Sequence, residues 1–173
     1  QNSTTAASSS NVGIGHAVFG GTLNAASNNV AVGHSALGAL TTGDHNVALG
    51  SNAMDSTTTA GKNIAIGYEA ASNLVGGTDG CVAIGYQAAL ASNQATNNTI
   101  IGRNAGDSIT SGSNHVFVGS QAGDGFDTEA HNMGIGVGAL GGSVAGGEYN
   151  VAIGNYTLDA LTSADGNTCV GYS

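Results

Sequence analysis

Hydrophobic and polar residues follow one short phrase that recurs ten times along this chain. The phrase reads Asn, aliphatic, small, aliphatic, Gly, as in Asn-Val-Ala-Ile-Gly at 150–154. A period this short and regular is typical of a solenoid, in which each repeat forms one coil stacked on the last. The closing glycines recur every 17 or 18 residues: Gly15, Gly33, Gly50, Gly67, Gly85, Gly102, Gly119, Gly136, Gly154 and Gly171.

Each phrase predicts a short strand with two different faces. Large aliphatic residues stand one and three positions before the glycine, with a small residue, usually Ala, between them. This alternation indicates a strand with Ala facing the coil interior and Val or Ile facing outward. A second strand or a bend is expected near the small residue three positions after the glycine. The sequence therefore predicts an all-β repeat solenoid of ten coils over 11–173, preceded by a polar segment at 1–10.

A single column of such coils is expected to be only marginally stable. Ordering a residue costs about 1–2 kcal/mol, whereas burying an aliphatic side chain contributes about 1.5–3 kcal/mol, and each coil has only two or three such side chains. The outward Val and Ile residues could bury more apolar surface against another chain. We therefore expect an oligomer, most simply three copies around a shared axis.

Asparagine opens the phrase in eight of the ten coils. Stacked coils lie about 4.8 Å apart, so equivalent Asn side chains can hydrogen-bond along the column. The expected structural ladder comprises Asn11, Asn29, Asn46, Asn63, Asn98, Asn132, Asn150 and Asn167. Cys81 and His115 occupy this slot in the remaining coils. Cys81 and Cys169 are about 24 Å apart at strand spacing, beyond disulfide distance within one chain, and are expected to be small buried packing residues.

The residue after each glycine is expected to face outward. His16 and His34 fall on adjacent coils in this slot, as do Tyr68 and Tyr86. Stacked rings can form a platform for sugars, and paired histidines can bind a metal. The four side chains are therefore candidate glycan contacts. The alternative is that flat rings stack along a ladder with no ligand involved.

Acidic residues suggest a second, different site. Asp107 and Asp124 stand five positions after the glycine on adjacent coils, which places their carboxylates about 5 Å apart. With Asp127 they form a candidate Ca²⁺ site, because Ca²⁺ prefers oxygen ligands. A solvated acidic loop is the alternative, since the nonapeptide calcium repeat is absent. Paired carboxylates also suit a glycosidase, but no Trp lines a cleft and the acids lie in variable loops. We expect no catalytic residue and no cofactor other than this Ca²⁺.

Composition narrows the classes of partner. Only Lys62 and Arg103 are basic, against eleven acidic residues, which gives a formal charge of −9. Such a chain offers no basic patch for nucleic acid. No apolar run approaches the ~20 residues that span a bilayer, so no membrane insertion is expected. Few Lys and Arg residues also leave few sites for trypsin-like proteases, which suits an extracellular, cell-surface or virion location.

Two segments carry a resemblance to known repeats. Asn-Ile-Ala-Ile-Gly-Tyr-Glu-Ala at 63–70 and Cys-Val-Ala-Ile-Gly-Tyr-Gln-Ala at 81–88 resemble head repeats of trimeric autotransporter adhesins. They resemble even more the N-T-A-I-G-Y-x-A-L repeats of phage tail-fibre-like and bacterial surface proteins. The resemblance covers about 11–173 and implies a homotrimer of left-handed parallel β-rolls used for surface attachment. Attachment targets in such families often lie outside the repeats, so none is implied here.

The chain ends suggest axial stacking. Two residues follow Gly171 and Gly15 is the fifteenth residue, which together make one 17-residue repeat. Segment 1–10 could thus complete the coil left open at 172–173 of another copy, and open ends of matching register favour filaments. The same sum would arise in an excerpt of a longer fibre.

These observations lead to one main functional hypothesis and two alternatives. The main hypothesis is a non-enzymatic extracellular structural fibre protein, either a trimeric β-roll shaft or a head-to-tail stacking filament subunit. The first alternative is a receptor- or glycan-binding adhesin or tail-fibre segment. A polysaccharide-degrading spike is the third hypothesis.

Overall fold

A computed structural model describes residues 8–75, 77–142 and 146–173. Every repeat contributes one three-residue strand, and all ten strands pair in chain order in one parallel sheet. The strands are β1 (Val12–Ile14), β2 (Val30–Val32), β3 (Val47–Leu49), β4 (Ile64–Ile66), β5 (Val82–Ile84), β6 (Thr99–Ile101), β7 (Val116–Val118), β8 (Met133–Ile135), β9 (Val151–Ile153) and β10 (Thr168–Val170). The prediction of an all-β parallel solenoid is confirmed.

Equivalent positions of neighbouring repeats face each other throughout the sheet. Ala48 pairs with Ala65 across β3 and β4, which are separated by a 17-residue interval. Ile64 pairs with Val82 across β4 and β5, although that interval is one residue longer. The extra residue is therefore absorbed outside the strands, and the ladder of side chains stays in register.

The repeat glycine ends each strand because no other residue fits there. These glycines have φ between 127° and 152°, a region that residues with a Cβ rarely adopt. A Cβ atom added to Gly50 would also lie 2.3 Å from the carbonyl oxygen of Gly67 on the next coil. Backbone conformation and close stacking thus both require glycine at this slot.

Turns follow the glycine, so of the two expected possibilities the described residues form a bend and not a second strand. Residues two and four positions after the glycine have φ near +55°, as in Asn52 (57°) and Met54 (52°). A third corner precedes the Asn slot, as in His45 (60°). Residues with side chains rarely adopt this left-handed conformation, so residue types such as Met54 and His45 do not predict these corners.

The core is a thin column of small and medium-sized side chains. The central residue of the strand, the Ala three positions after the glycine and the residue that follows it are buried, as in Ala48, Ala53 and Met54 at 0% exposure. Larger apolar residues seven positions after the glycine, such as Leu40 and Leu74, complete the interior.

In two coils of this core, the strand centre holds a large side chain and the corner slot holds glycine. Their strands have Ile100 and Phe117 at the centre, where the other strands have Ala, Gly or, in β10, Cys. The corner slot four positions after the glycine, which holds Phe, Leu, Met or Ala in other coils, is then Gly106 or Gly123. A Cβ on Gly123 would lie 2.3 Å from the ring of Phe117, so the ring fills the volume that the glycine leaves empty. In these two coils the larger central side chain thus occupies the volume beside the corner glycine.

Candidate interaction surface

The asparagine column lies inside the solenoid and is used for internal hydrogen bonds. The backbone N–H of Asn46 donates to Oδ1 of Asn29 (2.9 Å), and Nδ2 of Asn46 donates to the same atom (3.0 Å) and to the carbonyl of Ala60 (2.8 Å). Asn29, Asn46 and Asn150 are completely buried. The expected residues of this column thus bridge successive coils, and its interior members leave no polar group facing solvent.

His115 continues the asparagine column with an imidazole. Its backbone N–H donates to Oδ1 of Asn98 (2.8 Å), its Nδ1 accepts the backbone N–H of Asn132 (3.2 Å), and its Nε2 lies 2.8 Å from the carbonyl oxygen of Glu129. These partners require a neutral ring with the proton on Nε2. Burial lowers the pKa of His115 to about 4, which agrees with that neutral form.

The two cysteines lie in different environments. Cys81 is buried in the asparagine column, and its Sγ lies 3.2 Å from the carbonyl oxygen of Ala95. Cys169 is exposed, so the expectation that both are buried is wrong for this residue. It occupies the inward slot of β10, and no described coil covers the far side of that strand.

The outer face of the sheet is a continuous aliphatic surface. In the inner strands the central residue is buried, while the two flanking residues are partly or fully exposed. Of the twenty flanking residues, eighteen are Val, Ile, Leu or Met, and the other two are Thr99 and Thr168. Exposure is 37% for Ile64 and Ile153 and rises to 71% for Val170. We call these twenty residues the aliphatic face.

The dimensions of the aliphatic face follow from strand spacing. Nine steps of about 4.8 Å give a length of ~43 Å, and two rows of side chains give a width of roughly 10 Å. The resulting area of roughly 400 Å² falls within the range of the largest apolar patches on soluble proteins, which are often functional. No charged residue interrupts it.

Pairs of aromatic rings border the aliphatic face. His16 and His34 stack with centroids 5.3 Å apart, and Tyr68 and Tyr86 stack at 5.4 Å. The two tyrosines are 44% and 47% exposed, so both rings of that column are accessible.

Sequence reasoning missed a third stack, in a different slot. His131 and Tyr149 stack at 4.9 Å with an interplanar angle of 7°. They occupy the left-handed corner before the asparagine column. Their 18-residue separation, one repeat interval, was the available signal.

The three candidate Ca²⁺ ligands lie in two different places. Burial and the nearby Asp107 carboxylate raise the pKa of Asp124 to about 6. Asp127 instead accepts a short hydrogen bond from the hydroxyl of Thr110. Asp124 shares a groove with Asp159 rather than with Asp127. Among residues 8–75, 77–142 and 146–173, no three His, Cys, Asp or Glu side chains are grouped so as to hold a metal ion.

Comparison with known proteins gives no relative. No protein-family model matches the chain, and neither a curated protein nor a solved structure matches it. In the part of the chain that the structure describes, no helix is long and apolar enough to cross a membrane.

Proposed function

We propose that this chain is a non-enzymatic extracellular structural fibre protein that associates with further copies of itself through the aliphatic face. The observation that carries the proposal is the composition of that face, in which eighteen of twenty outward side chains are apolar and none is charged. Facing water, such a surface is unfavourable by about 25 cal/mol per Å². A second copy removes it from water without requiring a partner of different chemistry.

Three copies suit this surface better than two. A standard interface buries about 800 Å² per partner, twice the area of the aliphatic face. In a threefold arrangement each copy meets two neighbours, so the flanks on both sides of the face are buried as well. The resemblance to trimeric adhesin repeats also favours three.

Axial stacking is the second part of the proposal. β1 and β10 each have one strand edge with no partner among the described residues. A further coil on either edge, from a longer chain or from another copy, would continue the parallel ladder and the asparagine column. Such stacking produces a shaft or a filament.

Negative-stain electron microscopy with mass photometry tests both parts. Particles of about 50 kDa, three times the 16.6 kDa chain, would support lateral association alone. Threads of uniform width would support axial stacking as well, with an axial repeat near ~48 Å for ten coils at strand spacing. Monomers at micromolar concentration would contradict the proposal.

A second candidate function is binding of surface glycans by the exposed ring columns. The observation that favours it is the parallel stacking of two accessible rings, Tyr68 and Tyr86, because sugars pack against aromatic faces. The double substitution Tyr68→Ala and Tyr86→Ala should reduce glycan-array binding with no loss of thermal stability. The same change at His131 and Tyr149 is the matched control, and equal binding by both double variants would exclude the Tyr68 column.

A further inference from the structure

One coil lacks two side chains that its neighbours carry, and a notch results. The slots two and five positions after the glycine hold Gln121 and Asp124 in one coil and Tyr156 and Asp159 two coils later. The coil between them has Gly138 and Gly141 in those slots. The missing side chains leave a groove of about 210 Å³, lined by Gln121, Asp124, Gly138, Gly141, Tyr156 and Asp159.

Side chains from the two flanking coils lie close to the glycines at the base of the notch. A Cβ on Gly138 would lie 2.8 Å from Cδ1 of the Tyr156 ring, and a Cβ on Gly141 would lie 3.1 Å from Oδ1 of Asp124. The ring and the carboxylate therefore approach this base from opposite coils. A side chain at either glycine would displace them.

One oxygen of the Asp124 carboxylate has no hydrogen-bond donor among the described residues. This atom, Oδ1, is fully buried. A buried carboxylate oxygen without a donor is destabilising. Burial raises the pKa of Asp124, and Asp107 on the preceding coil adds a second negative charge that raises it further.

Among the described residues, neither Asp124 nor Asp159 forms an ion pair with a basic side chain. The one ion pair that the described residues form joins Lys62 to Asp79 at 3.7 Å, several coils away. With a formal charge of −9, the chain attracts cations, and a groove lined by carboxylates concentrates that attraction. The group that would complete the notch is therefore both positively charged and a hydrogen-bond donor.

The volume of the notch and the spacing of its carboxylates favour an organic cation over a metal ion. Asp124 and Asp159 belong to coils two steps apart, about 9.6 Å at strand spacing, whereas both ligands of one Ca²⁺ lie about 2.3–2.6 Å from the ion. The volume is below the ~300–1,000 Å³ of sites for drug-sized molecules. An aminoalkyl chain fits this volume, and an aromatic ring beside it attracts its ammonium group.

We propose that the notch between Asp124, Tyr156 and Asp159 binds a primary alkylammonium group, supplied by a free polyamine or by a lysine side chain of a partner protein. The ammonium donates to the Asp124 carboxylate beside the Tyr156 ring, and Gln121 and Asp159 line the opening. This site is independent of the aliphatic face and of the association proposed for it.

Isothermal titration calorimetry at low ionic strength tests this proposal with two probes, putrescine and Nα-acetyl-lysine amide. We expect saturable binding of at least one probe to the unmodified protein. Asp124→Asn should weaken that binding roughly ten- to hundred-fold, because a hydrogen bond to a charged group is lost. Binding of putrescine alone would identify a free polyamine as the source, and binding of the lysine probe alone would identify a protein side chain.

Two further variants make the test specific. Gly138→Asn should displace the Tyr156 ring, fill the notch and abolish binding. The backbone accepts Asn at this corner, since Asn52 and Asn104 occupy it with φ of 57° and 53°. Asp55→Asn removes the same charge from the same slot in another coil and should leave binding unchanged. Absence of saturable binding, equal affinity in the Asp124→Asn variant, or binding of CaCl₂ or glucose in place of both amines would overturn the proposal.

Discussion

The two sides of each three-residue strand differ in how completely the chain itself buries their side chains. On the inner side, Ala48 and Phe117 are fully buried among neighbours from the same column. On the outer side, Ile64 and Ile153 are equally apolar yet remain 37% exposed. A single chain therefore supplies the packing that its interior needs, whereas its aliphatic face has no partner within the described residues. Substitutions on the two sides should separate folding from association.

The largest effect is expected inside, where Phe117 fills the space beside Gly123. Phe117→Ala should lower the free energy of unfolding by about 3–5 kcal/mol, because it leaves a cavity. Gly123→Leu alone should also destabilise the fold, since its side chain would overlap the ring. The double variant restores the Ala and Leu combination found at Ala31 and Leu37. Urea unfolding should show that the double variant is more stable than either single variant. If the two losses of unfolding free energy simply add, the ring of Phe117 does not fill the volume beside Gly123.

A smaller interior effect concerns the pH dependence that His115 confers. Its folded-state pKa of about 4 lies below the ordinary value near 6.5, so only the unfolded chain binds a proton between these values. Stability should therefore be complete above pH 6.5 and fall by about 3 kcal/mol as the pH decreases to about 4.

His115→Asn provides the control for this pH dependence. Asparagine can accept from Asn132 and donate to Glu129 as the ladder requires, and it does not titrate. The difference in unfolding free energy between the two proteins should change between pH 7 and pH 4, as measured by urea titration at each pH. A difference independent of pH would show that His115 is not held neutral.

The sequence predicted the strands and their two faces, and it missed the corner conformations and the contacts between slots. Alternation of Ala with Val or Ile sufficed to place the strand faces, because a strand has only two sides. The pairs His16–His34 and Tyr68–Tyr86 followed from adding one repeat interval. The left-handed corners were missed because residues such as Met54 have no intrinsic preference for that conformation.

The notch and the packing of Phe117 beside Gly123 depend on contacts between different slots. Gly138 and Gly141 read as ordinary small residues in a glycine-rich chain, and only the positions of Tyr156 and Asp124 around them show a groove. The pairing of Phe117 with Gly123 likewise requires knowing that the two slots share one volume. A single sequence shows the period of a repeat but not which of its slots touch across the coil.

A charge at the centre of the aliphatic face should have the smallest effect on folding and the largest effect on assembly. Ile84→Asp adds a charge to the outer side of β5, and Asn97→Asp adds the same charge at an exposed corner. Sedimentation equilibrium should give a mass near 16.6 kDa for Ile84→Asp, with retained circular dichroism, and a multiple of it for Asn97→Asp and the unmodified chain. An assembled Ile84→Asp variant, or an unmodified chain that is monomeric, would contradict self-association through this face.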